Sequence, residues 1–303
     1  MTTTKRSFFF VALSALLLVV STVGVPTNAQ VRSSTSIAPA YEGWEQNDDG
    51  SFNLVFGYMN RNRNEGMDVP LGQDNRMEPG KPDRGQPTHF LPMRNRHVFR
   101  IHVPADFGDQ EIVWTLVTNG QTERAYGTLH RDYFLNDIAI MNNNGAGGAG
   151  GGAYNINENK RPELVVVGEK TRQVKVGETS TLTAFASDDD VPAIRNMPAP
   201  RYSPGGQLRG TPNSASGLRV SWFVYRGSDE GVAIEPPQFE VWENYQSGSD
   251  SPWSPGWEVP PIPPQGKWVI DAAFDEPGTY VLRCLAHDGG LAAHEDITFT
   301  VTQ

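Results

Sequence analysis

The chain has 303 residues, with 25 Lys and Arg against 35 Asp and Glu, for a formal net charge of −10 at pH 7. Such an acid excess argues against nucleic acid and anionic membrane surfaces as partners, because the phosphate attraction would run backwards. The one cysteine, Cys284, leaves no internal disulfide, so a chain long enough for two domains must be held by burial and pairing alone.

Residues 1–29 read as an export signal. Lys5 and Arg6 supply the positive start, an apolar run extends from Phe8 to about Val25, and Thr27, Asn28 and Ala29 offer small residues before a cut at Gln30. The apolar run is close to spanning length, so a retained anchor is the alternative. With cleavage, the chain is expected in the periplasm or outside the cell, without stable membrane insertion.

Residues 30–39 read as a flexible leader, and residues 40–141 as a β-rich domain. Phe52, Leu54, Phe56 and Tyr58 alternate with polar or small neighbours. Phe99, Ile101 and Val103 share a face, as do Ile112, Trp114 and Leu116, and Asn119-Gly120 predicts a hairpin into a strand from Ala125 to Leu129. Between the first two runs, the polar stretch Asn60–Asn95 is too long for an ordinary connection and reads as a functional or poorly ordered loop.

Residues 142–161 form a Gly- and Asn-rich linker, expected to act as a flexible tether. Gly145, Gly147 and Gly150 satisfy G-x-G-x-x-G, but no strand precedes them and no helix follows, so no nucleotide fingerprint is read there. Residues 162–303 carry the strongest alternation: Leu182, Ala184 and Ala186; Leu218, Val220, Trp222 and Val224; Trp268, Ile270, Ala272 and Phe274; Tyr280, Leu282, Cys284 and Ala286; and Ile297, Phe299 and Val301. Long insertions interrupt them at 191–217 and 235–266. The fold class is therefore all-β, with two β-sandwich-like units joined by the Gly-rich linker.

Val176-Gly-Glu-Thr179, the acidic strand end Ser187–Asp190, Trp222 and the run Gly278–Asp288 resemble the immunoglobulin-like sandwiches of exported bacterial proteins, the polycystin-type variety in particular. The resemblance covers about the last half of the exported chain and implies a spacer or binding module. One cysteine stands in place of the bridged pair of antibody domains. In the first unit, Glu42–Asn47, Asp49–Asn62 and Gly85–Pro92 resemble a region of uncharacterised exported bacterial proteins, which implies export and transfers no chemistry.

Two sites are expected. In an immunoglobulin-like sandwich the loops trailing the second and sixth core strands meet at one apex, which brings Asp188, Asp189 and Asp190 near Asp288. Carboxylates there would suit calcium, which takes several oxygens in loose geometry; solvated turn residues are the plainer account. In the second insertion, Trp242, Tyr245, Trp253 and Trp257 stand among prolines. They would stack on a glycan or anchor an envelope or extracellular protein, or else fold back as a lid over a small core. His287 and His294 fall on the outward face of their strands and read as surface residues. Arg61, Arg63, Arg94 and Arg96 are expected to pair with acids of their own loop.

The leading functional expectation is an exported, non-catalytic binding or structural module that works through its long loops. The alternative is a secreted enzyme or enzyme accessory with a site in residues 60–95, where His89 is the one candidate imidazole. Neither G-x-S-x-G nor H-E-x-x-H occurs in the chain.

Overall fold

In the computed structural model, which describes residues 36–145, 156–198 and 214–303, strands form where apolar residues alternate. The expected signal segment, the start of the leader, the centre of the tether and part of the first insertion lie outside these residues. The first lobe runs β1 (Ile37–Gln46), β2 (Phe52–Asn60), β3 (Met67–Asp68), β4 (Asn75–Glu78), β5 (His89–Phe90), β6 (Met93–Val103), β7 (Ile112–Thr118), β8 (Gln121–Gly127) and a short helix α1 (Asp137–Asn143). One sheet orders β1-β2-β6 and another β4-β7-β8, while β3 pairs with β5 alone. Between the two larger sheets, Phe56 stacks on Phe99 at 5.5 Å and Trp114 meets Phe99 edge-on at 5.0 Å. Asn119 and Gly120 both adopt positive φ (51° and 75°), the paired left-handed geometry that joins β7 to β8 in a two-residue hairpin. Ile37, expected in the leader, is already a strand residue: it is fully buried and its N–H donates to Thr118 Oγ1.

The polar stretch 60–95 is built structure. Asn75 is buried, donating to the carbonyls of Val69 and Pro87 (2.9 and 2.8 Å) while accepting from Trp114 Nε1. Gln86, also buried, receives Arg84 N–H and donates to Pro82 O. These side chains satisfy backbone groups that no sheet reaches, so the loop can pack without strand periodicity.

The second lobe runs β9 (Glu163–Val166), β10 (Thr171–Lys175), β11 (Ser180–Ser187), β12 (Arg219–Arg226), β13 (Val232–Glu235), β14 (Lys267–Phe274), β15 (Gly278–His287) and β16 (Ala292–Thr302). Its sheets order β9-β11-β14-β13 and β12-β15-β16-β10, the two-layer arrangement of an immunoglobulin-like sandwich, with β10 parallel to β16. Trp222, Leu282, Cys284 and Phe299 fill the space between them. Cys284 is fully buried and its thiol pKa is pushed up by that burial, as suits an apolar core residue. Tyr280 donates its hydroxyl to Glu276 O, pinning the turn before β15.

The described residues, all within Ser34–Gln303, form one compact unit. The face of β12, β15 and β16 that sequence alternation marks as wet is covered by the first lobe. Arg283, on that face, is 4% exposed; it clamps Asp296 with two hydrogen bonds (2.7 and 2.8 Å) and donates to Val98 O across the junction at 2.6 Å. Tyr225 donates to Gly85 O, Arg226 grips Asp83, and Thr88 N–H reaches Tyr225 O. Residues 142–144, expected in the linker, are ordered: α1 occupies 137–143, and Asn144 is buried with its amide on Gly290 O.

Candidate functional site

Two of the spaces at the lobe junction gather titratable side chains. The inner one, of about 100 Å³, is lined by Tyr58, Arg94, His97, Arg283 and His287, with Glu243 and Trp253 contributed by the second insertion. His97 sits at a bulge where β6 slips register against Gly57 of β2, and its φ of 52° turns the ring out of the strand pattern. Both ring nitrogens are buried without a hydrogen-bond partner. Burial, reinforced by Arg100 and Arg96, lowers its pKa to about 3. His287 lines the same cavity; its Nδ1 accepts from Gly289 N–H, and burial holds it well below the usual imidazole range. The expectation of a surface His287 is thus corrected, because the first lobe covers its strand face. His294 is exposed, as expected, and His102 is exposed as well.

The outer space is an open groove of about 640 Å³ that crosses both lobes. Glu45, Gln46, Asn47, Asn53, Asn136 and Asp137 contribute oxygens and amides from the first lobe, Ala292, Ala293 and His294 come from β16, and Phe134 stands at the edge. Phe134 is 49% exposed, its ring tilted 59° against that of Trp44 with centroids 4.9 Å apart. Trp44 is itself held by Nε1 donating to His130 O. Arg100 is bidentate to Glu45 (2.7 and 2.9 Å), and Arg161 bridges Glu45 and Asp137. These bonds keep the groove wall in one conformation before any ligand arrives. Pairing with Arg100 and Arg161 lowers the Glu45 pKa in spite of its burial.

Of the aromatic residues read from the second insertion, Trp253 and Trp257 are each 8% exposed. Trp257 packs edge-on to Phe239, lies under Arg219, and donates to Asp250 Oδ1. These two rings therefore form the lid of the alternative reading instead of a platform, because the insertion folds back onto the lobe junction. Trp242 is half-buried, and Tyr245, 37% exposed, donates to Glu243, which in turn binds Arg96 at 2.6 Å. The loop arginines look outward too: Arg61 pairs with Glu123 and Arg94 with Glu42, where pairing inside the loop was expected.

Of the four aspartates, Asp188 and Asp288 face each other electrostatically, while Asp189 spends its oxygens on the N–H groups of Lys160 and Val191, and Asp190 adopts a φ of 61° in the turn. Among the described residues no three His, Cys, Asp or Glu side chains converge as a metal centre. His89 is buried, with Nδ1 2.7 Å from Asp68 and Gly66 packed over its ring, while Nε2, 3.5 Å from Asp229 of the second lobe, makes no hydrogen bond. Among the described residues no helix is long and apolar enough to cross a membrane. Sequence reasoning missed Phe134, whose only signal is the aromatic pair Tyr133-Phe134 standing outside any strand alternation.

No protein-family model matches the chain, and no curated protein matches it. Among solved structures, a PKD domain of an M14-like peptidase from a Thermoplasmatales archaeon is 15% identical, covering 48% of this chain and 99% of its own, at a TM-score of 0.23. The Yersinia pseudotuberculosis adhesin InvE is 8% identical over 87% of this chain and 58% of its own (TM-score 0.22), and fibronectin(III)-like modules of Clostridium thermocellum CbhA are 10% identical over 88% and 95% (TM-score 0.22). Likenesses of this strength transfer no activity; the immunoglobulin-like class rests on the strand order of the second lobe.

Proposed function

We propose that the protein is an exported, non-catalytic binding module that takes a glycan in the groove between its lobes. The observation carrying this reading is Phe134: a half-exposed ring, held against Trp44, beside a wall of amides and fixed carboxylates. An aromatic face covers the apolar C–H face of a sugar ring, while flanking amides and carboxylates satisfy its hydroxyls. The wall is preorganised by Arg100 and Arg161, so little freedom is lost on binding.

Binding to a glycan array by residues 30–303 tests the proposal, followed by calorimetry on the best hit. Phe134→Ala is expected to weaken binding by about tenfold or more, the scale of one lost aromatic anchor, with the melting temperature unchanged. Trp257→Ala, at a buried ring, serves as the contrasting variant. Absence of any glycan hit, or equal binding by Phe134→Ala, removes this reading.

A further inference from the structure

At the apex of the second lobe, four oxygens are buried with no donor to satisfy them: both carboxylate oxygens of Asp188, Oδ2 of Asp288 and Oδ1 of Asn159. Asp288 is fully buried and Asn159 is 8% exposed. Acceptors withdrawn from water without a donor each cost free energy, and two of these residues are acidic. The neighbouring donors are committed elsewhere. Asp288 Oδ1 already accepts the N–H groups of Gly290 and Leu291 (2.5 and 2.7 Å). Arg219, whose charge acts on Asp288, donates Nη1 to the carbonyls of Ala215 and Gly217. The amides of Asp190 and Asn159 approach the Asp188 and Asp288 carboxyls respectively, but neither reaches hydrogen-bond geometry to the orphaned oxygens.

We infer that Asp188 and Asp288, joined by Asn159 once its side-chain amide turns over to present Oδ1 in place of the nitrogen now beside Asp288, form a site for a hard divalent cation, Ca²⁺, which these orphaned oxygens would ligate and water would complete. Carboxylate and amide oxygens without nitrogen or sulfur are the donor set this ion takes, and its loose geometry tolerates ligands from separate loops. The site differs from the quartet read in the sequence, since Asp189 is spent on backbone amides and Asn159 enters in its place. Its position gives the ion a task. Asn159 belongs to the segment re-entering the second lobe and donates to Met141 of α1, and Met141 packs on Leu291 of the β15–β16 turn. A bound ion would pin the loops after β11 and β15 to the segment that links the lobes. The inference stands whether or not the groove takes a glycan.

The test is thermal melting of residues 30–303 at pH 7.5 with and without about 10 mM Ca²⁺, together with equilibrium dialysis against Ca²⁺ alone. With an affinity of about 10⁻⁴–10⁻³ M, usual for extracellular modules, the melting temperature should rise by about 3 °C or more. Mg²⁺ at the same concentration should do less. Asp188→Asn and Asp288→Asn should melt higher than wild type without metal, having lost an unpaired charge, and should no longer respond to Ca²⁺. Asp189→Asn should keep the response. If Asp288→Asn does not fold, dialysis of wild type against Asp188→Asn decides the matter. A wild-type protein that binds no Ca²⁺ overturns the inference, and retained binding in Asp188→Asn overturns it by placing the ion elsewhere.

Discussion

Arg283 shows how one side chain can hold a junction between domains. Its guanidinium is bidentate to Asp296, donates to Val98 O in the other lobe, and lies 3.5 Å over the Tyr225 ring. A planar fork does all three at once, and an ammonium group cannot. Arg283→Lys keeps the charge and loses the fork, so it should cost about 2 kcal/mol in urea-induced unfolding; an unchanged midpoint would mean the stack and fork contribute nothing net. The sequence gives little warning of this role. Arg283 occupies an alternate position beside Leu282 and Cys284, where a charged residue ordinarily faces water, and only the docking of the first lobe buries it. The apical pair was more legible, because the strand order of an immunoglobulin-like sandwich brings the Asp188 and Asp288 loops together. Asn159 was not, since it enters from the linker and carries no periodic signal.

At the scale of elements, what could be read in advance was what obeys a period of two. Strands β2, β6, β7, β11, β14, β15 and β16 each contain the residues whose alternation announces them, and β12 contains all but Leu218, one residue before its start. The stretch 60–95 could not be read that way, because its order comes from single polar side chains such as Asn75 and Gln86 that bond backbone groups at long range. The second insertion falls between these cases: its tryptophans were visible and their direction was not. Trp257 contacts Phe239 and Arg219 and is nearly enclosed. Trp257→Ala should therefore cost about 3–5 kcal/mol, read as a lowered melting temperature. A variant that melts like wild type would return the ring to the solvent-facing role.

At the scale of the whole molecule, the joined lobes set two groups of titrating residues against each other as pH falls. Burial raises the folded-state pKa of Asp188 to about 7, helped by Asp288, and that of Asp288 to about 6. Both exceed the unfolded carboxylate value of about 3.9, so the folded state binds more protons and these groups add stability as pH drops from about 7 toward 4. The buried imidazoles act in the opposite sense. His97 has a folded pKa of about 3 against about 6.5 unfolded, so its contribution is present above pH 6.5 and is lost as pH falls toward 3. At pH 5 that loss amounts to about 2 kcal/mol. It is borne at the junction, where Arg96 and Arg100 already repel a charged ring and Glu45 offsets only part of that repulsion. The wild-type profile sums both trends, so the histidine term is isolated by difference. His97→Gln removes the titration while keeping a polar side chain. Urea unfolding at pH 7 and pH 5 should show wild type losing ground to the variant at the lower pH by about 2 kcal/mol. Parallel profiles would mean that the imidazole reaches water without parting the lobes, and that the inner cavity is open to protons in the folded state.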